Sequence, residues 1–305
     1  MLLFNKINRL IILLIILSIT FFFIFSFNSC FKLPPYGYIN GYSSLVYSKD
    51  FCIQDQHNKV HFKTNIMGAR ILDDSQYDNF IKVFGDSQVL GLDVKKKSDH
   101  YLNLIFPNKN FMIFAAPNNG PYEVLNSLDL NIQDNEDIIL TFNASTDFFR
   151  LSKTWSLYEH VPLSIQKANL FSQYPLFYDF YKLFFFYINK NETKIFNNLK
   201  MQTLFLDIDN QIFIENFDKY FDQLSEFSKK KNLRYDYFIT HPYWLYDFNK
   251  NNLIINENVY SKYKSLVAEL SRNYENIRFS KPLMNTKLKE LTYDKRHLRS
   301  KSISF

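Results

Sequence analysis

The chain of 305 residues contains little of what metal and redox sites are built from. Its two cysteines, Cys30 and Cys52, are too few and too far apart for a zinc site of the Cys-x-x-Cys kind. A disulfide between them is an open alternative in an oxidising compartment. Four histidines also lack the spacing of metal ligands: His57, His61, His100 and His160. We therefore expect no metal site.

Strong charge of one sign is absent as well. The net charge of +6 is modest for this length, and basic residues cluster at 95–97, at 229–231 and in a tail over 281–301. No aromatic-plus-glycine pattern of a nucleic-acid-binding module accompanies these clusters. We expect them to be solvated faces and expect no nucleic-acid partner, with attraction to anionic headgroups or an acidic polymer as the alternative.

Long apolar runs are lacking except for one near the N-terminus. Residues 10–27 form a run of 18 without a charge, and as a helix this run would be about 27 Å long, close to the hydrocarbon core of a bilayer at about 30 Å. Lys6 and Arg9 precede it, which places residues 1–9 in the cytoplasm and the rest of the chain outside. We expect a transmembrane helix over 10–29 that anchors the protein in the lipid bilayer. A cleaved signal peptide is the alternative.

The pattern changes after the apolar run. Residues 30–78 carry prolines, glycines and alternating polar segments, which predicts a stalk followed by edge strands or a hairpin. Over 79–305, short β-branched and aromatic runs alternate with helical patterns. Strands are expected at 81–84, 111–115, 137–142, 237–240 and 277–279, and helices at about 89–106, 123–130, 211–231 and 259–273. This alternation predicts an α/β domain with a parallel sheet covered on both faces.

One segment departs from this alternation. Residues 148–200 are rich in aromatic residues and are interrupted by Pro175, which predicts a helical insertion. Its simplest role is a second layer packed on the sheet. A lid or an aromatic wall beside a site is the alternative.

Chemically useful side chains follow the predicted strands. A Gly85-Asp86-Ser87 turn follows the first strand, Gly120 follows the second, and residues 143–147 follow the third. Taken alone, Gly-Asp-Ser is a common capped turn. Near the C-terminus, Asp294 stands three residues before His297, a spacing that lets a carboxylate orient an imidazole. Acyl transfer needs such a set, which comprises a nucleophile, a base, an orienting group and oxyanion donors.

With these residues the chain resembles the SGNH (GDSL-type) hydrolases from about residue 81 to the C-terminus. Gly85-Asp86-Ser87-Gln88 looks like the first block of the family, with Gln in place of the more frequent Leu. Asn119-Gly120 is similar to the second block, and Asp294-x-x-His297 to the last. The resemblance implies a three-layer α/β/α flavodoxin-like fold, a serine nucleophile and no cofactor.

The resemblance also implies a role for each matched residue. Ser87 would be the nucleophile, His297 the base and Asp294 the group that orients His297. The N–H groups of Ser87 and Gly120 would stabilise the oxyanion, together with a side chain of the third block.

The third block departs from the family pattern. It normally ends in Gly-x-Asn-Asp, whose Asn is an oxyanion donor, whereas this chain has Asn143-Ala144-Ser145-Thr146-Asp147. Aligning Asp147 with the family's Asp puts Thr146, a weaker donor, in the place of the Asn, and Asn143 at the strand end is the alternative donor. Losing one oxyanion donor costs about 2.7–4 kcal/mol of transition-state stabilisation. A second departure is that eight residues follow His297, so the closing helix of the family is expected to be short or absent.

Two further polar residues have simpler interpretations. His241 follows the fourth strand and has no spaced partner, so we expect a packed or capping histidine. Arg150, just past the third block, is expected in a surface ion pair or against an anionic group of a substrate.

These features together predict a membrane-anchored serine hydrolase whose C-terminal domain is periplasmic or extracellular. It would cleave an ester, for which the O-acyl groups of envelope glycans are candidates. One alternative is an envelope polysaccharide O-acyltransferase, because the same acyl-enzyme could pass its group to a sugar hydroxyl. The other is a glycan-binding or assembly protein on the same fold without catalysis.

Overall fold

The computed structural model describes most of the domain and parts of the segment before it. The described residues are 2–27, 36–38, 45–47, 52–55, 60–65, 67–72, 80–91, 94, 96–115, 119–151, 198–248, 252–284, 286–292 and 298–305. Cys30, most of the expected insertion over 148–200, and both Asp294 and His297 lie outside the described residues.

The chain begins with helix α1, Leu2–Phe27, a continuous helix of 26 residues. Over residues 10–21, many of its large apolar side chains are about half exposed or more. In α1 the exposure of side chains is described over residues 8–22. Within the part of the chain whose side chains are described, no helix is both long enough and apolar enough to span a membrane.

Two antiparallel hairpins follow the helix. Strand β1, Tyr36–Tyr38, pairs with β2, Leu45–Tyr47. Strand β3, Cys52–Asp55, pairs with β4, Val60–Lys63. These strands fall within residues 30–78, where edge strands or a hairpin are predicted.

A six-stranded, mostly parallel sheet forms the centre of the described domain. Its strands are β5 (Arg70–Ile71), β6 (Phe80–Gly85), β7 (Asn110–Ala115), β8 (Asp137–Asn143), β9 (Arg234–Thr240) and β12 (Ile277–Phe279), in the order β12-β9-β8-β6-β7-β5. The edge strand β5 is antiparallel to β7, and the other neighbours are parallel. The mixed α/β class predicted from the alternating pattern is therefore confirmed.

Helices connect these strands, and a small second sheet follows β9. The helices are α2 (Ser87–Leu90), α3 (Tyr101–Ile105), α4 (Pro121–Asn131), α5 (Asp147–Leu151), α6 (Asn198–Asp207), α7 (Asn210–Lys231), α8 (Glu257–Asn273) and α9 (Leu288–Leu291). Three short strands, β10 (Tyr246–Phe248), β11 (Asn252–Ile255) and β13 (Thr286–Lys287), form an antiparallel sheet that the sequence patterns do not predict. Two-residue to four-residue strands carry too little periodicity to be recognised.

Side chains cover both faces of the central sheet. Successive residues of a strand point to opposite faces. On one face, Phe142 of β8 contacts Phe217 of α7 with the ring centroids 5.6 Å apart. On the other face, Phe238 of β9 contacts Phe106 and Phe305, with ring centroids 5.9 Å and 4.9 Å away. Aromatic side chains from other elements thus pack against both faces of the sheet.

The long helix predicted over 89–106 is wrong. Helix α2 ends at Leu90, and the next residue, Gly91, has a φ of 65°, the left-handed conformation that terminates helices. The buried guanidinium of Arg70 then donates hydrogen bonds to the carbonyl groups of Leu90, Gly91 and Val94. Because Arg70 is distant in sequence, a helical pattern in this segment could not reveal that its carbonyls are satisfied from β5.

Candidate functional site

The candidate site lies at the carboxyl ends of three neighbouring strands. Strand β6 stands between β7 and β8, so the chain passes from β6 to one side and then returns to the other. Ser87 directly follows the Asp86 turn after β6, Gly120 comes after β7, and Asn143 ends β8. This is the switch point of an open α/β sheet, where ligands generally bind.

Gly85 allows β6 and β8 to approach closely just before the turn. A Cβ atom on Gly85 would lie 1.9 Å from Thr141 Oγ1 and 2.8 Å from Val89 Cγ1, so no larger residue fits without movement. The Thr141 hydroxyl donates instead to the carbonyl oxygen of Phe84 at 3.1 Å. The close approach of Thr141 and Val89 therefore explains why glycine occupies this position of the first block.

Asp86 connects the turn to the third block. Its Oδ1 accepts from the N–H of Gln88 at 2.8 Å, which caps α2. Its Oδ2 accepts from Asn143 Nδ2 at 2.8 Å. The Asn143 Oδ1 in turn accepts from the N–H of Ser145 at 3.0 Å, which fixes the orientation of the amide. The structure thus brings the Asn143 side chain to the residue next to Ser87.

Thr146, the other candidate donor of the third block, is engaged elsewhere. Its hydroxyl donates to Asp147 Oδ1 at 3.2 Å. A hydroxyl has a single O–H donor, so this bond uses it. Of the two donors that the sequence leaves open, Asn143 is the one whose side chain contacts the first block.

The turn after β6 that contains Ser87 is buried. Asp86, Ser87 and Gln88 retain 5%, 5% and 4% of their surface. The reason is that later segments pack against this turn, since Asn143 bonds Asp86 and Leu298 bonds Gln88.

Gly120 begins α4, and its N–H is engaged. This N–H donates to Glu123 Oε2 at 3.0 Å. A Cβ atom on Gly120 would lie 2.7 Å from Arg150 Cδ and 2.9 Å from Glu123 Oε2, so a larger residue would displace the ends of these two side chains. The sequence Gly-Pro-x-Glu is a recognisable helix start, with Pro at the first helical position and Glu at the third. This local signal could have predicted that Glu123 accepts a hydrogen bond from the Gly120 N–H.

Arg150 links the second block to the third in a buried position. Its guanidinium donates to Asp147 Oδ1 at 3.2 Å and to the carbonyl oxygen of Asn119. The two charged side chains are only 7% and 4% exposed, so the predicted surface ion pair is in fact a buried one. Burial raises the pKa of the Asp147 carboxyl, Arg150 opposes this shift, and the charge of Asp86 adds to it.

The last block is described only through the residues that flank it. Thr292 and Leu298 form an antiparallel bridge around residues 293–297, which include Asp294 and His297. The Gln88 amide donates to the carbonyl oxygen of Leu298 at 2.8 Å and accepts from its N–H at 2.9 Å. Leu298 is the neighbour of His297 in the sequence, and Gln88 is the neighbour of Ser87. Sequence reasoning missed this contact.

His241 is a buried histidine of the packed interior, as predicted. Its Nδ1 lies 2.7 Å from Ser280 Oγ, and its Nε2 lies 3.3 Å from the Tyr246 hydroxyl. Burial lowers the pKa of His241 to about 3. Among the described residues, no group of three or more His, Cys, Asp or Glu side chains could hold a metal ion.

No family model matches the chain, and no curated protein is significantly similar to it. The resemblance to the SGNH hydrolases therefore rests on the motifs and on their strand context.

Proposed function

We propose that this chain is a membrane-anchored serine hydrolase with the three-layer α/β/α fold of the SGNH type. The order of its parallel strands supports this fold. Numbered among themselves along the chain, β6, β7, β8, β9 and β12 stand in the order 2-1-3-4-5, which is the flavodoxin-like order.

The contact between Asn143 and Asp86 is the observation that carries the proposal. It joins the first and third blocks beside Ser87, while Gly120 of the second block follows the adjacent strand β7. Ser87 follows β6, Gly120 follows β7 and Asn143 ends β8, and these three strands are consecutive in the order of the sheet. A Gly-Asp-Ser turn that only caps a helix does not require polar residues at the ends of both neighbouring strands.

The proposed reaction proceeds through an acyl-enzyme. The Ser87 Oγ attacks the ester carbonyl carbon while its proton passes to His297, and Asp294 orients the imidazole. The C–O bond to the alcohol then breaks, and His297 returns the proton to the leaving alkoxide. Water attacks the acyl-serine in the same way, which releases a carboxylic acid and restores Ser87.

The oxyanion would be stabilised by the N–H groups of Ser87 and Gly120 and by the Asn143 amide. One N–H of this amide is donated to Asp86, and an amide carries a second. The Gly120 N–H has to be shared with Glu123 or released from it when the oxyanion forms. Thr146 needs no part in this step.

The anchor in this proposal is α1. Its 26 residues would be about 39 Å long, which exceeds a hydrocarbon core of about 30 Å. Many of its described apolar side chains over residues 10–21 are about half exposed or more. Lys6 and Arg9 at its start would keep the N-terminus in the cytoplasm and put the domain in the periplasm or outside the cell. An acylated envelope glycan is a suitable substrate there.

Serine labelling tests the proposal on the full-length protein in detergent. We expect a fluorophosphonate probe to label the wild-type protein and p-nitrophenyl acetate to be hydrolysed, and expect both activities to be lost in Ser87→Ala. Circular dichroism of the two proteins controls for folding. Equal turnover by the two folded proteins would refute the role of Ser87.

The engagement of the Gly120 N–H and of one N–H of the Asn143 amide is the observation behind a second candidate function. Because Gly120 donates to Glu123 and Asn143 to Asp86, the same fold could bind a glycan without catalysing a reaction. A folded wild-type protein that resists the fluorophosphonate and retains an acylated glycan on a column would support this candidate.

A further inference from the structure

Gln88 connects two segments that are 210 residues apart in the sequence. Its side-chain amide uses both of its ends on one residue, because Nε2 donates to the Leu298 carbonyl oxygen and Oε1 accepts from the Leu298 N–H. This is the hydrogen-bonding pattern of a strand partner, supplied here by a side chain. Gln88 and Leu298 are 4% and 1% exposed, so water cannot replace the pair readily.

The bridge between Thr292 and Leu298 explains why Gln88 is needed. Its hydrogen bond at 2.7 Å runs from the N–H of Arg299 to the carbonyl oxygen of Leu291. In an antiparallel bridge of this kind, the N–H and carbonyl of Leu298 point away from Thr292. They face Gln88, which satisfies both groups.

Each end of this connection is held independently. On the nucleophile side, Arg70 bonds the carbonyl groups that end α2. On the other side, the Ser302 hydroxyl donates to the carbonyl oxygen of Leu291 at 3.1 Å. The N–H of Lys281 donates to the carbonyl oxygen of Ser304 at 2.7 Å. Gln88 is thus a link between two anchored segments.

We propose that Gln88 is a positioning residue, which holds the last block so that His297 reaches Ser87. This inference rests on the proposed serine-hydrolase function. A leucine at this position, which is more frequent in the family that the chain resembles, has no polar atoms and could not form the link. The Gln88 that replaces this leucine in the first block would therefore have a positioning role in this chain.

Gln88→Met tests the proposal, because methionine keeps the unbranched shape and removes both hydrogen bonds. Small displacements of a catalytic group cost about 10²-fold in rate. With the full-length protein and p-nitrophenyl acetate, we expect kcat to fall about 10²-fold and KM to stay within about twofold, since the binding residues are untouched. Hydrogen exchange of the Leu298 amide should become faster.

Gln202→Met is the matched control. Gln202 is also a buried glutamine, 3% exposed, and its Nε2 donates to the Trp244 carbonyl oxygen at 2.9 Å. We expect this variant to lose thermal stability while keeping kcat and the protection of the Leu298 amide. If the Gln202 variant loses as much kcat as the Gln88 variant, the effect is general destabilisation and the proposal is overturned.

Gln88→Glu covers the case in which Gln88→Met does not fold. A carboxylate can still accept from the Leu298 N–H but cannot donate to its carbonyl oxygen. We expect kcat between those of the wild type and of a variant without the link. Wild-type kcat together with faster exchange of the Leu298 amide would overturn the positioning role and leave the hydrolase proposal intact. A wild-type protein no faster than Ser87→Ala would overturn both.

Discussion

Replacing Asn143 with alanine removes the side chain by which the third block contacts Asp86. The proposed mechanism and the structure together predict two separate losses. The first is the loss of the proposed oxyanion donor, and removal of such a donor typically costs about 2.7–4 kcal/mol, or about 10²–10³-fold in kcat. The second is structural, because Asp86 Oδ2 loses a donor at 2.8 Å and the Ser145 N–H loses an acceptor at 3.0 Å. Leaving buried polar groups without partners costs about 1–3 kcal/mol of folding free energy.

These two losses are measured separately. Steady-state hydrolysis of p-nitrophenyl acetate should show the fall in kcat for Asn143→Ala, and thermal unfolding should show the loss of stability. Thr146→Val is the matched control, because it removes the hydroxyl that donates to Asp147 at 3.2 Å and keeps the volume. We expect its kcat to stay close to that of the wild type. Equal falls in kcat, or a larger fall for Thr146→Val, would refute the assignment of Asn143 as the donor.

Two further predictions concern stability near the site. In Arg150→Met, Asp147 loses its cation at 3.2 Å, and breaking a buried pair costs about 3–5 kcal/mol. Because burial raises the pKa of Asp147 in the folded state, this carboxyl disfavours folding as the pH rises above its unfolded pKa. Burial raises this pKa to about 8, and the pKa rises further without Arg150, so the penalties of the two proteins diverge only above pH 8. The loss of Tm should therefore be larger at pH 9.5 than at pH 6, and a loss independent of pH would contradict this reasoning. Gly85→Ala places a Cβ atom 1.9 Å from Thr141 Oγ1 and should lower the free energy of unfolding by about 1–3 kcal/mol. The double variant with Thr141→Ala should recover part of this loss. If Tm does not recover, the clash lies elsewhere.

The positions of the site residues on strand ends could be predicted from local patterns. Gly85, Gly120 and Asn143 follow short apolar runs that the structure contains as β6, β7 and β8. The contacts of these residues could not be predicted in the same way. The pattern places Thr146 at the aligned position and leaves Asn143 as the alternative donor. The fold distinguishes their contacts, because the Asn143 side chain bonds Asp86 of the first block and the Thr146 hydroxyl bonds Asp147.

Several interactions depend on residues far apart in the sequence. Where the helix expected over 89–106 is interrupted, Arg70 bonds the carbonyl groups of the chain. The ion pair of Arg150 is buried rather than at the surface, and the guanidinium also bonds the carbonyl oxygen of Asn119. Local propensity contains no information on such partners. The contact between Glu123 and Gly120 is different, because the local Gly-Pro-x-Glu pattern is sufficient to predict it.

The sequence by itself determined the α/β class, the alternation of strands and helices, and the residue types at the strand ends, because these depend on periodicity and on short-range turn chemistry. The tertiary structure alone decided the strand order, which makes β6 the neighbour of both β7 and β8, and hence the meeting of Asp86 with Asn143. It alone also decided the pairing of Gln88 with Leu298. Both contacts join segments separated by many residues, so they form only when the whole sheet and the C-terminal segment have packed.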